Sequence, residues 1–116
     1  MEARAVSRYN RQSARKMRLV IDLIRGRGVN EAYAILQFSK KRAAEQIDKT
    51  LRSAVANSRQ KAETAGDFVD VDELFVKEAY VNEGPRLKRW RAAAMGRAAP
   101  IRRPTSHIVI VVDRKE

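Results

Sequence analysis

The side chains that could perform catalysis in this chain are few and poorly placed for it. His107 is the only histidine, and cysteine is absent. Ser106 precedes His107 directly, but neighbours on a strand point to opposite faces, so this pair forms no serine–histidine relay. We therefore interpret His107 as a structural or phosphate-contacting residue, and we expect no enzymatic activity.

The acidic residues do not form a convincing metal loop. Asp67, Asp70, Asp72 and Glu73 cluster in one short segment. They lack the ligand spacing and the turn glycine of a calcium loop, so a solvated turn is the favoured interpretation. We expect neither a metal nor another cofactor.

The chemistry that the chain does offer is anion binding. It has 25 Lys and Arg residues against 14 Asp and Glu residues, a formal net charge of +11. This balance favours nucleic acid, an acidic membrane surface or an acidic protein as the partner. No apolar run is long enough to span a bilayer, and the N-terminus lacks the pattern of a signal peptide. Because the absence of cysteine also fits a reducing compartment, we expect a cytoplasmic protein.

One segment, residues 84–104, concentrates the positive charge. It holds seven basic residues and no acidic one, and its apolar side chains are too few to build a core. Self-repulsion and backbone entropy both oppose ordering it in isolation, so we interpret it as an arm for nucleic acid. Trp90 lies between two arginines, where it is placed to stack on an unpaired base. The alternative is that Trp90 folds back on the arm.

The candidate RNA-binding residues form two groups, and Arg outnumbers Lys in both. The planar fork of Arg suits bidentate contacts with phosphate. The group nearer the N-terminus comprises Arg8, Arg11, Arg15, Lys16, Arg18 and Arg25, followed by Lys40 and Lys41. The arm group comprises Arg86, Lys88, Arg89, Arg91, Arg97, Arg102 and Arg103, and His107 follows it.

Hydrophobic patterning predicts the elements that carry these groups. Alternation predicts a short edge strand over residues 3–9, and Ser13 is placed to cap a first helix. Asn30 is placed to cap a second, shorter helix. A β-branched run over residues 108–112 is typical of a central strand, and residues 74–81 form a second strand pattern.

The third helix has the clearest apolar stripe in the chain. Ser39 is placed to cap this helix of about twenty residues. Its stripe comprises Ala43, Ala44, Ile47, Leu51, Ala54 and Val55. Lys40, Lys41 and Arg42 then fall in the first turn, where the helix dipole disfavours cations. Two interpretations stay open: a solvated helix end, or a phosphate held by these cations and the free N–H groups.

These elements together predict an α+β fold in one domain. Three helices would pack on a small antiparallel sheet, and a long β-hairpin would protrude from it. We place the globular body at residues 1–82 and 105–116, and the extended basic β-hairpin at residues 83–104. A connector of this length is either functional or disordered, because ordinary hairpin turns take two to five residues.

Several motifs occur here in the order and spacing of one family. They are Arg11-x-Ser13-x-Arg15-Lys16, Leu19-Val20-x-Asp22-Leu23-Ile24-Arg25-Gly26, Glu78-Ala79-Tyr80-Val81, Glu83-Gly84-Pro85, Leu87-Lys88-Arg89, Gly96-Arg97-Ala98 and Thr105-Ser106-His107-Ile108. On these motifs the chain resembles the large-subunit ribosomal protein L twenty-two family, of bacterial or organellar type. Ala14 and Ala92-Ala93 depart from the family, which usually has Pro at the first position and Pro-Arg at the second.

The resemblance implies a structural constituent of the large ribosomal subunit that binds rRNA during assembly. It implies a β-hairpin that lines the nascent-peptide exit tunnel, and as partners large-subunit rRNA, neighbouring large-subunit proteins and the nascent peptide. The hairpin tip in the tunnel would comprise Leu87, Lys88, Arg89, Trp90, Arg91, Ala92, Ala93, Ala94, Met95, Gly96 and Arg97. The ribosome could be cytoplasmic or organellar.

Two other functions remain as alternatives. One is a free-standing basic RNA-binding protein or RNA chaperone. The other is a binder of anionic membranes, which is disfavoured because Pro and Gly interrupt any helix in the arm and because its large apolar residues are few.

Overall fold

The computed structural model describes residues 2–92, 96 and 98–114. For residues 89, 91, 92 and 99–102 it describes the backbone alone. The α-helices in this part of the chain are α1 (Ala14–Ile21), α2 (Val29–Phe38) and α3 (Ala43–Thr64), and a short 3-10 helix spans Val71–Glu73. The strands are β1 (Ala3–Asn10), β2 (Leu74–Glu83), β3 (Leu87–Ala92), β4 (Ala98–Arg103) and β5 (Ser106–Arg114). The predicted α+β class is therefore confirmed.

The larger sheet is antiparallel and has the strand order β1-β5-β2. The central position of β5 and the edge position of β1 both match the prediction. Ile108, Ile110 and Val112 alternate along β5 and are fully buried among the helices. Because successive side chains of a strand face opposite ways, Val109 and Val111 lie on the other face of the sheet.

The core lies between this sheet and the helices. Every residue of the predicted stripe on α3 is buried. Met17, Val20 and Ile21 of α1, and Ile24 just after it, have no exposed surface. Burial of each large side chain contributes about 1.5–3 kcal/mol, so α1 and α3 hold the body together.

The starts of two helices differ from the prediction. α3 begins at Ala43 with Arg42 as its N-cap, whereas Ser39 ends α2 and its hydroxyl accepts the N–H of Lys41. Lys40 and Lys41 therefore precede α3 and do not lie in its first turn. The N-cap position of α2 is Gly28. Asn30 lies within the helix, and its side-chain amide donates to Asp72.

β3 and β4 form a second, two-stranded sheet. They pair antiparallel from Leu87 and Arg103 to Ala92 and Ala98. Gly96 has a φ of 69°, a left-handed conformation that glycine adopts at little cost. The molecule measures 67 × 28 × 16 Å, with a radius of gyration of 17.6 Å. A compact chain of this length would have about 13 Å, so the fold is elongated.

Candidate nucleic-acid interface

Acidic side chains neutralise only part of the basic surface. The ion pairs among the described residues include Arg25–Asp22, Arg27–Glu31, Lys49–Glu45, Arg52–Asp48, Lys77–Glu2 and Arg114–Asp67. In the same part of the chain, the exposed side chains of Arg8, Arg11, Arg15 and Lys16 have no acidic partner. Positive charge is therefore left uncompensated where β1 runs into α1.

A β-bulge shapes this end of β1. One extra residue enters β1 between Ser7 and Asn10, and Tyr9 there has a φ of 58°. The Asn10 amide donates to the carbonyls of Ser7 (3.1 Å) and Ser106 (3.2 Å), and the Ser7 hydroxyl donates to Asn10 Oδ1 (3.1 Å). These bonds fix a turn on which Arg8, Tyr9 and Arg11 are all exposed.

His107 joins the bulge to the base of the hairpin. Its Nδ1 accepts the backbone N–H of Tyr9 at 3.1 Å, and the two rings meet edge to face with centroids 5.0 Å apart. A neutral imidazole that accepts at Nδ1 carries its hydrogen on Nε2. The structure thus gives His107 a positioning role within the protein, while its predicted contact with rRNA stays a prediction.

The two arms of the hairpin are held together at their base. The Gly84 N–H donates to the Thr105 carbonyl at 2.9 Å, and the Thr105 hydroxyl donates to the Pro85 carbonyl. A Cβ at Gly84 would lie 2.6 Å from Thr105 Oγ1 and 3.1 Å from His107 Nε2, so a side chain does not fit here. His107 consequently links this base to Tyr9, so the end of β1 lies beside the point where the hairpin begins.

The arm side chains that the structure describes are largely exposed. Arg86, Lys88 and Arg103 are exposed, and Leu87 is half-buried. Trp90 is 70% exposed, which favours the interpretation of a ring available to a partner over one folded back on the arm. Ala93, Ala94, Met95 and Arg97, and the side chains of Arg89, Arg91, Ala92 and Arg102, lie outside the described residues.

Arg18 and Arg25 have a role that sequence reasoning missed. Nε and Nη2 of Arg18 donate to the Val81 carbonyl at 3.1 and 2.8 Å, and those of Arg25 donate to the Ala79 carbonyl at 2.9 and 2.7 Å. β2 is an edge strand, and open edges invite pairing with other chains. The two arginines cover that edge. The sequence carried no signal for these contacts, because they depend on where β2 lies, and the binding of the two arginines to rRNA stays a prediction.

The cations before α3 lie in a mixed environment. Lys40, Lys41 and Arg42 line an open concavity that Glu45 and Asp48 also line. The N–H groups of Ala44 and Glu45 already donate to the carbonyls of Lys41 and Arg42. Fewer free donors are therefore left for a phosphate than the sequence suggested, and binding by Lys40 and Lys41 stays a prediction. Arg42 also shares a small cleft with Arg11, which brings this cluster close to the bulge.

The acidic cluster serves local structure. The Phe68 backbone N–H and Arg114 hold the pKa of Asp67 below its usual value. Asp70 caps the short 3-10 helix by accepting the Asp72 N–H at 3.0 Å. Within the described residues, no group of His, Asp and Glu side chains is arranged to hold a metal ion. That part of the chain also has no helix of the length and apolarity that crossing a membrane requires.

The fold and its charge define a class: a basic α+β protein with a two-stranded arm, whose exposed cations include Arg8, Arg11 and Arg15 of the body. Within that class, the chain belongs to the family described as ribosomal protein L22p/L17e, whose family model matches residues 5–113. The resemblance seen in the motifs is confirmed.

Three similar relatives are bacterial and carry the name large ribosomal subunit protein uL22. The one from Bifidobacterium longum strain DJO10A is 51% identical over all of this chain and 98% of its own length. The one from Desulfitobacterium hafniense strain Y51 is 54% identical over 99% of this chain and 97% of its own length. The one from Geobacter metallireducens is 50% identical over 99% of this chain and all of its own length.

Proposed function

We propose that this chain is a structural constituent of the large ribosomal subunit that binds large-subunit rRNA during assembly. The observation that carries the proposal is membership of the family, together with the exposed Arg8, Arg11 and Arg15, which have no acidic partner among the described residues. The chain acts by binding and carries out no reaction. Its place is the ribosome, in the cytoplasm of a bacterial cell.

The body and the hairpin have different tasks in this proposal. The body, residues 1–82 and 105–116, folds on its own core and docks through the N-terminal cations. The hairpin, residues 83–104, enters the rRNA, and its tip lines the exit tunnel where the nascent peptide passes. The separate β3–β4 sheet and the elongated shape support this division. Neighbouring large-subunit proteins contact the body.

Recognition rests on shape and phosphate contacts. Folded RNA displays its backbone more readily than its base edges, so proteins bind it through phosphates, 2′-hydroxyls and unstacked bases. Exposed arginines in the N-terminal group and in the arm supply bidentate phosphate donors. Ordering the arm among phosphates also offsets the self-repulsion that disfavours it in isolation.

Sedimentation in high-salt sucrose gradients tests the proposal. A tagged copy of the chain expressed in bacterial cells is expected to co-sediment with large subunits and to remain there after the salt wash. A free-standing RNA-binding protein would instead dissociate and stay at the top of the gradient, because non-specific electrostatic binding weakens steeply with salt. That result would overturn the proposed function.

A further inference from the structure

Tyr9 has the most unusual backbone in the part of the chain that the structure describes. There it is the one non-glycine residue with a positive φ, at 58°. Bulky side chains rarely adopt this conformation. It persists here because the surroundings fix it: the Tyr9 N–H donates to His107 Nδ1, and Asn10 is tied to the carbonyls of Ser7 and Ser106. Strain that is held in this way is concentrated at functional sites.

The bulge presents the Tyr9 ring to solvent instead of the core. The ring is 64% exposed, and its edge-to-face contact with His107 fixes its direction. Arg8 and Arg11 flank it in the chain, and both are exposed without an acidic partner in the described structure. Rigid presentation lowers the entropic cost of binding.

The other exposed aromatic rings of the body lack this combination. Phe38 is 84% exposed at the end of α2, but its backbone is helical and no arginine adjoins it in the chain. Phe68 is 80% exposed but lies between Asp67 and Asp70, which repel phosphate. Tyr80 is 38% exposed on the open face of the sheet, with Glu78 on the same strand. Only at Tyr9, among the described body residues, do an exposed ring, a fixed backbone and flanking unpaired arginines coincide.

We propose that Tyr9 is a stacking platform for one unpaired nucleobase of the rRNA, with Arg8 and Arg11 on the neighbouring phosphates. Aromatic rings hold splayed-out bases in this way, and stacking tolerates any base identity. His107 is a positioning residue, since it fixes the backbone and the ring of Tyr9. This inference rests on the proposed function and adds to it the kind of RNA feature, a single unstacked base, that this end of β1 recognises.

Binding of the full-length chain to a transcript of large-subunit rRNA tests the inference. Tyr9→Gly removes the ring but suits the positive φ, so its Tm should not fall below that of the wild type. Its affinity is expected to fall about 5- to 150-fold, the range that alanine substitutions give for base–aromatic stacking. Tyr9→Phe should bind within about twofold of the wild type, because it keeps the stacking surface. The salt dependence of Tyr9→Gly should be unchanged, because no phosphate contact is lost.

Tyr80→Thr is the matched control, since it removes an exposed tyrosine from the open sheet face and leaves a good strand former. It should bind as the wild type does. The inference is overturned if Tyr9→Gly binds within about threefold of the wild type, or if Tyr9→Phe loses as much affinity as Tyr9→Gly. A reduced salt slope for Tyr9→Gly would also overturn it. If the wild type itself fails to bind the transcript, the proposed function falls; if the wild type binds and Tyr9→Gly binds equally, only the inference does.

Discussion

Some arginines of this chain bind its own backbone, and others are exposed without an acidic partner among the described residues. Arg18 and Arg25 donate to the carbonyls along the open edge of β2, so much of their hydrogen-bonding capacity is used inside the protein. Arg8, Arg11 and Arg15 are exposed and have no acidic partner among the described residues. Positive charge alone therefore does not identify an RNA contact, and the protein partners of each cation must be considered.

This distinction predicts unequal effects of equal charge changes. Replacing Arg8, Arg11 and Arg15 together by Gln should weaken rRNA binding and reduce the slope of log K against log salt by roughly three, about one for each lost phosphate contact. The matched control replaces Arg27, Lys49 and Arg52 by Gln, because these residues pair with acidic neighbours on their own helices or loops. Filter-binding titrations at several salt concentrations measure both slopes. Equal slopes for the two triple variants would contradict the assignment.

Gly84 is required by the close approach of the hairpin arms. Gly84→Ala would place a Cβ 2.6 Å from Thr105 Oγ1, which is buried and bonded to the Pro85 carbonyl. Relief requires the Thr105 side chain to move, so we expect a loss of about 1–3 kcal/mol in the free energy of unfolding. Urea denaturation measures it. In the double variant Gly84→Ala/Thr105→Ala the cost should be smaller than the sum of the single costs, and strict additivity would count against this explanation.

At the scale of elements, α3 stabilises the body through its apolar stripe. Leu51 lies at the middle of the helix and has no exposed surface. Leu51→Ala should therefore lower the free energy of unfolding by about 2–5 kcal/mol. Leu19 is the control, because it is 59% exposed on α1. Leu19→Ala should change the free energy of unfolding by no more than about 0.5 kcal/mol. Comparable losses for the two variants would show that the core is elsewhere.

Periodicity predicted the elements well because burial on one face dictates it. The stripe on α3 and the β-branched run in β5 both proved to be buried, and β5 is central as predicted. Ser13 caps α1 as predicted, but the starts of α2 and α3 were predicted less well, since polar residues near a helix end can bond elsewhere. Asn30 reaches Asp72, and Ser39 ends α2 instead of capping α3.

The candidate site, like the helix starts, could be predicted only in part from the sequence. The basic residues and their two groups could be recognised from charge alone. The bulge at Tyr9 could not, because it depends on His107, which is 98 residues away, and on Asn10 bridging two strands. The edge-covering contacts of Arg18 and Arg25 likewise depend on where β2 lies beside α1.

At the scale of the whole molecule, we expect the hairpin to contribute little to the stability of the body. β3 and β4 pair with each other in their own sheet. The hydrogen bond from the Gly84 N–H to the Thr105 carbonyl joins the two arms at their base. Replacing residues 87–103 by a short turn should therefore shift Tm by less than about 4 °C, which corresponds to under 1 kcal/mol for a domain of this size. Calorimetry of the variant and the full chain measures the shift. A large fall in Tm would show that the arm packs on the body.

The most direct measurement is chemical footprinting of large-subunit rRNA with the full chain and with the variant that lacks residues 87–103. We predict two sets of protected nucleotides with the full chain. One set, from the body, should persist with the variant, and the other, from the hairpin, should disappear. Identical footprints for the two proteins would contradict the claim that the hairpin enters the RNA while the body docks on it.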